Sequence, residues 1–567
     1  MSWIAQSLRA HPELALFLAL GLGHAIGRLR LGPVKLNAVI GVLLAGVVVG
    51  QAAVEVPPAL QWSFFVLFLF SVGYKTGPQF FQGLGRGALP QAGLALLFCA
   101  AGLATAYALS RLLGFNAGGA AGLVAGGLNA SAAIGTADDA IAKLPVSAAV
   151  RHELATSSAV AFAVTYLAGL LTSIVTLSKI GPWLMRIDLN SECRKLEAEL
   201  GMDKREPGVF SAYQKFVARA YTLPASFDGK TAAAVEQAFE PARVFVERVR
   251  TSRGVIDAGP EIALHAGDTV ALTARRELLV GSGNPLLHYE TDDPELLDIP
   301  VVTVDHLLAR RDLHRRTLAE IAGILAREVP ARGVFVRGIS RAGQDLPLGS
   351  ELVLQQGDTL HLVGAKRHVE RVAAQLGSVA WPSTATDMAV LGAAVAIGGL
   401  IGLPALRFAG VDIGLSAPVG VLLGGLVAGW LQSRRPGFGH VPDAALSLLD
   451  SLGLTAFLAL VGIGAGPGFV SGVRTSGIPL LAAGVVVCAV PNIITICVGR
   501  FLLRLHPGIL LGICAGSGTA PAALAALQET AESQVPTLGY GVSYAIGNIL
   551  LALSGSLIVV LMGAASH

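Results

Sequence analysis

The sequence predicts a polytopic α-helical membrane protein: two inverted repeats of five spans plus one re-entrant or broken helix each, with a central soluble α/β insert. Three observations carry that prediction. Hydrophobic residues make up 53% of the 567 and charged residues only 14%, where a soluble protein has about 25% charged. The neutral residues gather in two blocks of long uncharged runs, and the two blocks resemble each other. So few charges cannot cover a soluble fold of this apolarity, which excludes a disordered chain, a coiled coil and a plain soluble enzyme. The net charge of +3 argues against nucleic acid as a partner and leaves membrane lipid as the surrounding medium.

In the first third, uncharged runs cover 36–54, 56–74, 87–110, 112–137 and 154–178, preceded by the weaker segment Leu14–Gly27, which His24 interrupts. In the last third they cover 388–406, 413–433, 451–473, 475–499, 505–528 and 533–567. Each approaches or exceeds the roughly 20 residues that a helix needs to cross a ~30 Å hydrocarbon core. Only Arg9 precedes the first apolar run and no A-x-A site follows it, so that segment reads as a retained span rather than a cleaved signal. Residues 183–382 are rich in charge and hold no spanning run, which marks a soluble insert. The five cysteines have no paired spacing and read as buried small hydrophobes, so neither a metal site, a disulfide framework nor a cofactor is expected.

The halves align along much of their length. Val72-Gly73-Tyr74-Lys75-Thr76-Gly77-Pro78-Gln79-Phe80 matches Val461-Gly462-Ile463-Gly464-Ala465-Gly466-Pro467-Gly468-Phe469, and the stretch from Leu36 to Leu44 matches that from Leu415 to Leu423. Ala125-Gly126 falls on Ala515-Gly516, Asn129–Ala133 on Thr519–Ala523, and Val164-Thr165-Tyr166 on Val542-Ser543-Tyr544. Placing Arg28, Arg30, Lys35, Lys75, Arg86, Lys179, Arg434, Arg435, Arg500 and Arg504 on one side leaves Arg111, Lys143, Arg151, Arg407 and Arg474 on the other, as the positive-inside rule requires. That arrangement needs an odd number of crossings per half. The glycine-rich fifth segments, Phe115–Ala137 and Pro507–Leu527, must then enter and leave by one face.

Irregular backbone at membrane depth is tolerated only around a protected cavity. In secondary transporters such breaks bind the substrate, because half-helix N-termini offer free N–H groups to an anion. The expected breaks are Gly126-Gly127-Leu128-Asn129-Ala130-Ser131 and Gly516-Ser517-Gly518-Thr519-Ala520-Pro521. Gly127, Asn129, Ala130, Ser131, Ser517, Gly518, Thr519, Ala520 and Pro521 are therefore candidate substrate residues, with Pro521 suited to the first turn of the following half-helix. Tyr166, Tyr544 and Asn548 on the last span of each half are candidates to line the cavity. Lys75 is either a cation that neutralises an anionic substrate or a side chain that snorkels to the interface. Gly77-Pro78 and Gly466-Pro467 read as helix stops with tight turns. Asp138 and Asp139 read as solvated loop acids, and His24 as a core or interface residue.

The insert holds two similar units. Val244-Phe245-Val246 maps onto Val334-Phe335-Val336, and Gly267-Asp268-Thr269 onto Gly357-Asp358-Thr359. Each unit is expected to carry a helix, short strands, and a Gly-Asp turn leading into an apolar strand. Asp228-Gly229-Lys230-Thr231 imitates the end of a phosphate-binding loop, but Pro224 stands where its first glycine belongs.

With these motifs assembled, the layout resembles the aspartate:alanine exchanger family of bacterial membrane antiporters. The resemblance covers nearly the whole chain and rests on the duplicated half, Gly77-Pro78, Gly466-Pro467 and Gly518-Thr519-Ala520-Pro521. The insert resembles two TrkA-C-type domains, carried by Gly267-Asp268 and Gly357-Asp358. The domains would be 1–182 (membrane repeat), 183–290 and 291–382 (TrkA-C-type, cytoplasmic) and 383–567 (membrane repeat). The resemblance implies a homodimeric, multi-pass protein of the bacterial inner membrane and no enzyme. It would exchange small carboxylates or amino acids by alternating access, elevator-like. Asn129-Ala130-Ser131 departs from the family's Thr-Pro pattern, which leaves a succinate-type dicarboxylate exporter as an alternative. An ion channel gated by the soluble domains is the other alternative, and those domains would either bind a small ligand or only dimerise.

Overall fold

The computed structural model describes residues 2–564 apart from 29, 32–33, 36–37, 84–87, 200–215, 240–243, 253, 276–277, 280–283, 309, 329–332, 342–343, 347, 377–385, 409–410, 415 and 435–438. Leu36, Arg86, Leu415 and Arg435 of the repeat and charge patterns lie outside the described residues. The chain forms two compact units, one of residues 1–199, 341–346 and 383–567, the other of 200–340 and 347–382. The first is helical and carries the apolar runs.

Its N-terminal part comprises α1 (Ser2–Ala10), α2 (Pro12–Gly27), α3 (Ala38–Gly50), α4 (Pro58–Gly83), α5 (Leu89–Leu113), α6 (Ala117–Gly127), α7 (Ser131–Ala142), α8 (Ala148–Val175), α9 (Gly181–Met185) and α10 (Leu189–Glu199). Local chemistry sets several ends. Pro90 opens α5 and Gly114, at φ 69°, closes it. The Asn116 side chain caps α6 by accepting from Gly119 N at 2.8 Å, and Ser147 caps α8 through Val150 N at 3.3 Å. The uncharged run 112–137 is thus two helices separated by three residues.

In the second unit, β1 (Phe216–Thr222), α11 (Ala232–Gln237), β2 (Phe245–Thr251) and β3 (Thr269–Arg275) are followed by β4 (Val301–Leu307), α12 (Leu318–Glu328), β5 (Val334–Arg341), β6 (Thr359–Ala365) and α13 (Lys366–Leu376). β3 lies between β1 and β2, and β6 between β4 and β5, all antiparallel. Among the described residues, a strand therefore precedes the expected helix in each half. Both Gly-Asp steps form the same turn: Gly267 and Gly357 have φ of 91° and 95°. The Asp268 and Asp358 carboxylates accept from His265 N (2.9 Å) and Gln355 N (2.7 Å). Thr231, the residue that completes the false phosphate-loop pattern, caps α11 instead. Buried Glu247 on β2 sits 3.3 Å from His368 Nε2 and 3.2 Å from Arg367 Nη2 of α13, and Thr273 Oγ1 donates to it at 3.2 Å. Arg367 also pairs with Asp257 at 2.7 Å.

The C-terminal part comprises α14 (Met388–Gly402), α15 (Ala417–Arg434), α16 (Asp443–Cys497), α17 (Pro507–Ser517), α18 (Pro521–Ala531) and α19 (Thr537–Ala564). Among the described residues, four helices are long and apolar enough to cross a membrane: Leu89–Leu113, Ala148–Met185, Asp443–Leu502 and Thr537–Gly563. The expected span 388–406 stops at Gly402, because Pro404 disfavours helix in the residue before it. Residues Ala405–Phe408 instead pair with Val411–Gly414 as a small ribbon, and Arg30–Leu31 pairs with Val34–Lys35 at the corresponding place in the first half.

Two expectations are corrected. Gly77-Pro78 and Gly466-Pro467 do not stop helices: Pro78 lies inside α4, and Pro467, Pro479 and Pro491 lie inside α16. The runs 451–473 and 475–499 are accordingly one 55-residue helix. A proline removes one hydrogen bond, which packed neighbours can offset, and Arg474 is no helix breaker. The glycines of these pairs serve close packing. A β-carbon on Gly77 or Gly73 would strike the Leu426 or Leu422 carbonyl of α15, and one on Gly46 or Gly50 of α3 would strike the Ala459 or Ile463 carbonyl of α16. The second helix of each half therefore packs on the third helix of the other. In lipid, where burial of apolar surface drives nothing, such backbone approach supplies the contact energy. Leu14, Phe17 and Leu22 of α2, and Ile397, Leu400 and Ile401 of α14, stay exposed, as side chains solvated by acyl chains would.

Candidate functional site

The two broken helices are held by glycine seams. On α6, a β-carbon at Gly118, Gly122 or Gly126 would meet the Leu154 carbonyl, the Ser158 carbonyl or the Thr165 hydroxyl of α8. On α17, Gly512 faces the Pro536 carbonyl just before α19, and Gly516 the Ser543 hydroxyl of α19, in the same way. Thr165 and Ser543 are matched residues in the aligned halves, and both turn their hydroxyls onto backbone carbonyls, Ala161 O at 2.6 Å and Gly539 O at 2.8 Å.

The breaks have one backbone design. Leu128 (φ −98°, ψ 10°), Asn129 (φ 55°) and Ala130 (φ −96°, ψ 77°) parallel Gly518 (φ −85°, ψ 10°), Thr519 (φ 47°) and Ala520 (φ −110°, ψ 80°). Ala130 N donates to Ala125 O at 2.8 Å and Asn129 N to Gly126 O at 3.0 Å; Ala520 N donates to Ala515 O at 3.0 Å and Thr519 N to Gly516 O at 2.9 Å. These paired bonds close α6 and α17 with Schellman ends. Asparagine tolerates the left-handed conformation that such an end demands, whereas β-branched Thr519 is strained in it.

The breaks meet. Thr519 Oγ1 donates to Asn129 O at 3.2 Å. Beyond that point the half-helices exchange partners. α6 packs on α8, but α7 continues along α19, where Thr136 Oγ1 donates to Ala552 O at 2.6 Å and Ser556 Oγ to Thr136 O at 3.0 Å. α17 packs on α19, and α18 continues against α8. Two broken helices thus cross, and four half-helix ends converge at residues 128–131 and 518–521. No side chain caps the N-terminus of α7 or of α18. Ser131 opens α7 and Pro521 opens α18. Converging N-termini favour negative charge, and the adjacent carbonyl ends of α6 and α17 favour positive charge.

The nominated side chains divide into groups. Asn129 is 6% exposed, and neither its Oδ1 nor its Nδ2 has a partner. Ala130, Ser131 and Ala520 are buried beside it. Ser517 donates to Ile513 O at 2.8 Å, so its hydroxyl is turned back into its own helix. Gly127 and Gly518 are each roofed by a helix of the opposite half, with β-carbon positions 3.0 Å from Val487 Cγ1 and 3.1 Å from the Phe98 ring. Tyr166 packs on Phe162 (ring centroids 5.2 Å apart) and Tyr544 stacks on Tyr540 (5.0 Å), while Asn548 Nδ2 bonds Tyr544 O at 3.0 Å. His24 Nδ1 lies 3.0 Å from Leu20 O of its own helix.

Lys75 is paired with Asp450 of α16 at 2.8 Å. Asp450 bounds the run 451–473 and was the available sequence signal for that partner. The loop reading of Asp138 and Asp139 is corrected: once restarted at Ser131, α7 runs through both. Asp139 pairs with Lys143 at 2.7 Å, whereas Asp138 Oδ1 is shielded from solvent without a partner.

The chain matches the Asp-Al_Ex family, described as a predicted permease membrane region, over residues 15–181 and 390–560. An uncharacterized transporter of Bradyrhizobium diazoefficiens is 42% identical over 524 residues, 91% of this chain and 100% of the relative. One from Bordetella parapertussis is 38% identical over 564 residues (98% of each chain), and one from Shewanella oneidensis 35% over 567 (99% and 100%). No solved structure matches. With its two matched membrane segments and full-length transporter relatives, the chain belongs to the Asp-Al_Ex family of membrane permeases.

Proposed function

We propose that this transporter exchanges small carboxylates or amino acids, in the manner of aspartate:alanine antiport, by alternating access. The observation that supports this best is the crossing at Asn129 and Thr519, where uncapped half-helix N-termini and an unpartnered amide converge. A substrate carboxylate there would accept from Asn129 Nδ2 and from free N–H groups in the first turns of α7 and α18, where Pro521 itself offers none. A substrate ammonium, where present, would face the carbonyl ends of α6 and α17. The α6–α8 and α17–α19 helices would move together against α2–α4 and the first part of α16, elevator-like, within a homodimer of the bacterial inner membrane. Exchange follows if the empty carrier reorients poorly. Residues 183–290 and 291–382 would be TrkA-C-type cytoplasmic domains that sense a small ligand or hold the dimer.

Counterflow in proteoliposomes tests this. Vesicles preloaded with unlabelled aspartate, alanine or succinate should take up the labelled compound faster than empty vesicles. Equal rates for all small carboxylates would remove the exchange mechanism.

A further inference from the structure

Between the end of α7 and the start of α8 lies an open pocket of about 360 Å³ lined by Asp138, Ile141, Arg151, His152 and Ala155. Asp138 Oδ1 and Arg151 Nε are both shielded from solvent and both lack a hydrogen-bond partner. The two groups line one pocket and do not pair with each other. Arg151 Nη1 is held by Ala142 O at 3.1 Å, which fixes the guanidinium against the end of α7. Of the neighbouring charges, Lys143 and Asp139 pair with each other at 2.7 Å. An unpartnered carboxylate oxygen and guanidinium Nε each call for a counter-group, and separated opposite charges in one pocket suit a ligand carrying both.

We infer that this pocket is a second substrate station, which binds the zwitterionic end of an α-amino acid outside the helix crossing. The ammonium donates to Asp138, the carboxylate accepts from the Arg151 guanidinium, and the side chain lies against Ile141 and Ala155. Asp138 is seven residues beyond Ser131, so at 1.5 Å per residue the station lies about 10 Å from the crossing along α7. A dicarboxylate offers Asp138 no donor and meets its charge, so the station discriminates amino acids from dicarboxylates by repulsion as well as attraction. The inference rests on the transport reading above only in taking the pocket as a stop on the substrate's path.

Direct binding by the purified full-length protein tests it. Wild type, Asp138→Asn, Asp138→Glu and Arg151→Gln are titrated calorimetrically with L-alanine, L-aspartate and succinate, after size-exclusion profiles confirm folding. Wild type should bind an amino acid. Asp138→Asn should weaken amino-acid binding at least tenfold and leave succinate bound as well or better, since the repelling charge is gone, with Asp138→Glu recovering part of the amino-acid loss. Arg151→Gln should weaken amino-acid binding by a similar factor. Failure of wild type to bind either amino acid, or amino-acid affinity indifferent to Asp138→Asn, overturns the station. Normal counterflow with that indifference refutes the station alone, whereas Asp138-dependent binding without counterflow refutes exchange alone.

Discussion

Replacing Asn129 by glycine separates the cost of the site from its use. Asn129 is buried with both amide atoms unpaired, and an unsatisfied buried polar group costs about 1–3 kcal/mol. Glycine accepts φ 55° without steric penalty but gives up as much as ~1 kcal/mol through the greater freedom of the unfolded chain. The substrate-free protein should therefore keep its stability or gain up to about 2 kcal/mol, read as an unchanged or raised melting temperature in detergent. Binding should move the other way. Loss of one charge-assisted hydrogen bond of about 1.5–3 kcal/mol weakens substrate affinity roughly tenfold to a hundredfold, measured as the KM of counterflow. A melting temperature that falls while transport stays normal would show that the amide is a structural prop and that the crossing does not hold substrate.

Gly126→Ala or Gly516→Ala drives a methyl into the Thr165 or Ser543 hydroxyl and should cost about 1–3 kcal/mol; Thr165→Ala should recover part of the first loss in a thermal-melt series. Lys75→Met strands Asp450, whose side chain is about one-third exposed, so a screened loss of about 1–2 kcal/mol is expected. The double change Lys75→Met with Asp450→Leu should restore stability to within ~1 kcal/mol. In the insert, burial by itself would raise the Glu247 pKa, but hydrogen bonding and charge from His368, with Arg367 and Thr273, hold it below the ordinary 4.5. Its contribution to stability is then complete above about pH 4.5 and is lost as pH falls through the lowered value. Hydrogen exchange in β2 and α13 of the full chain should quicken over that acid range, and Glu247→Gln should abolish the extra step.

The breaks were legible because their cause is local. Gly126-Gly127 and Gly516-Ser517-Gly518 are poor helix interior, and the residues that follow recur in both halves. The Gly-Asp turns of the insert were legible for a similar reason: Gly267 and Gly357 supply a positive φ that few residues adopt. The Gly-Pro pairs misled because a proline reads as a stop in isolation, while Pro78 and Pro467 are carried through by packing across the halves. Asp138 was misread because the position at which α7 ends depends on its docking to α19, which no neighbouring residue announces.

The membrane location, the doubling of the chain and the place of each helix break came from the sequence alone, since each depends on composition or on backbone preferences within a few residues. Only the tertiary structure decided that the two breaks cross, that α7 and α18 exchange partners, and that Lys75 is met by Asp450. Those contacts join residues hundreds of positions apart. They are selected by which glycine seams fit which carbonyls, a property of assembled helices that no local pattern encodes.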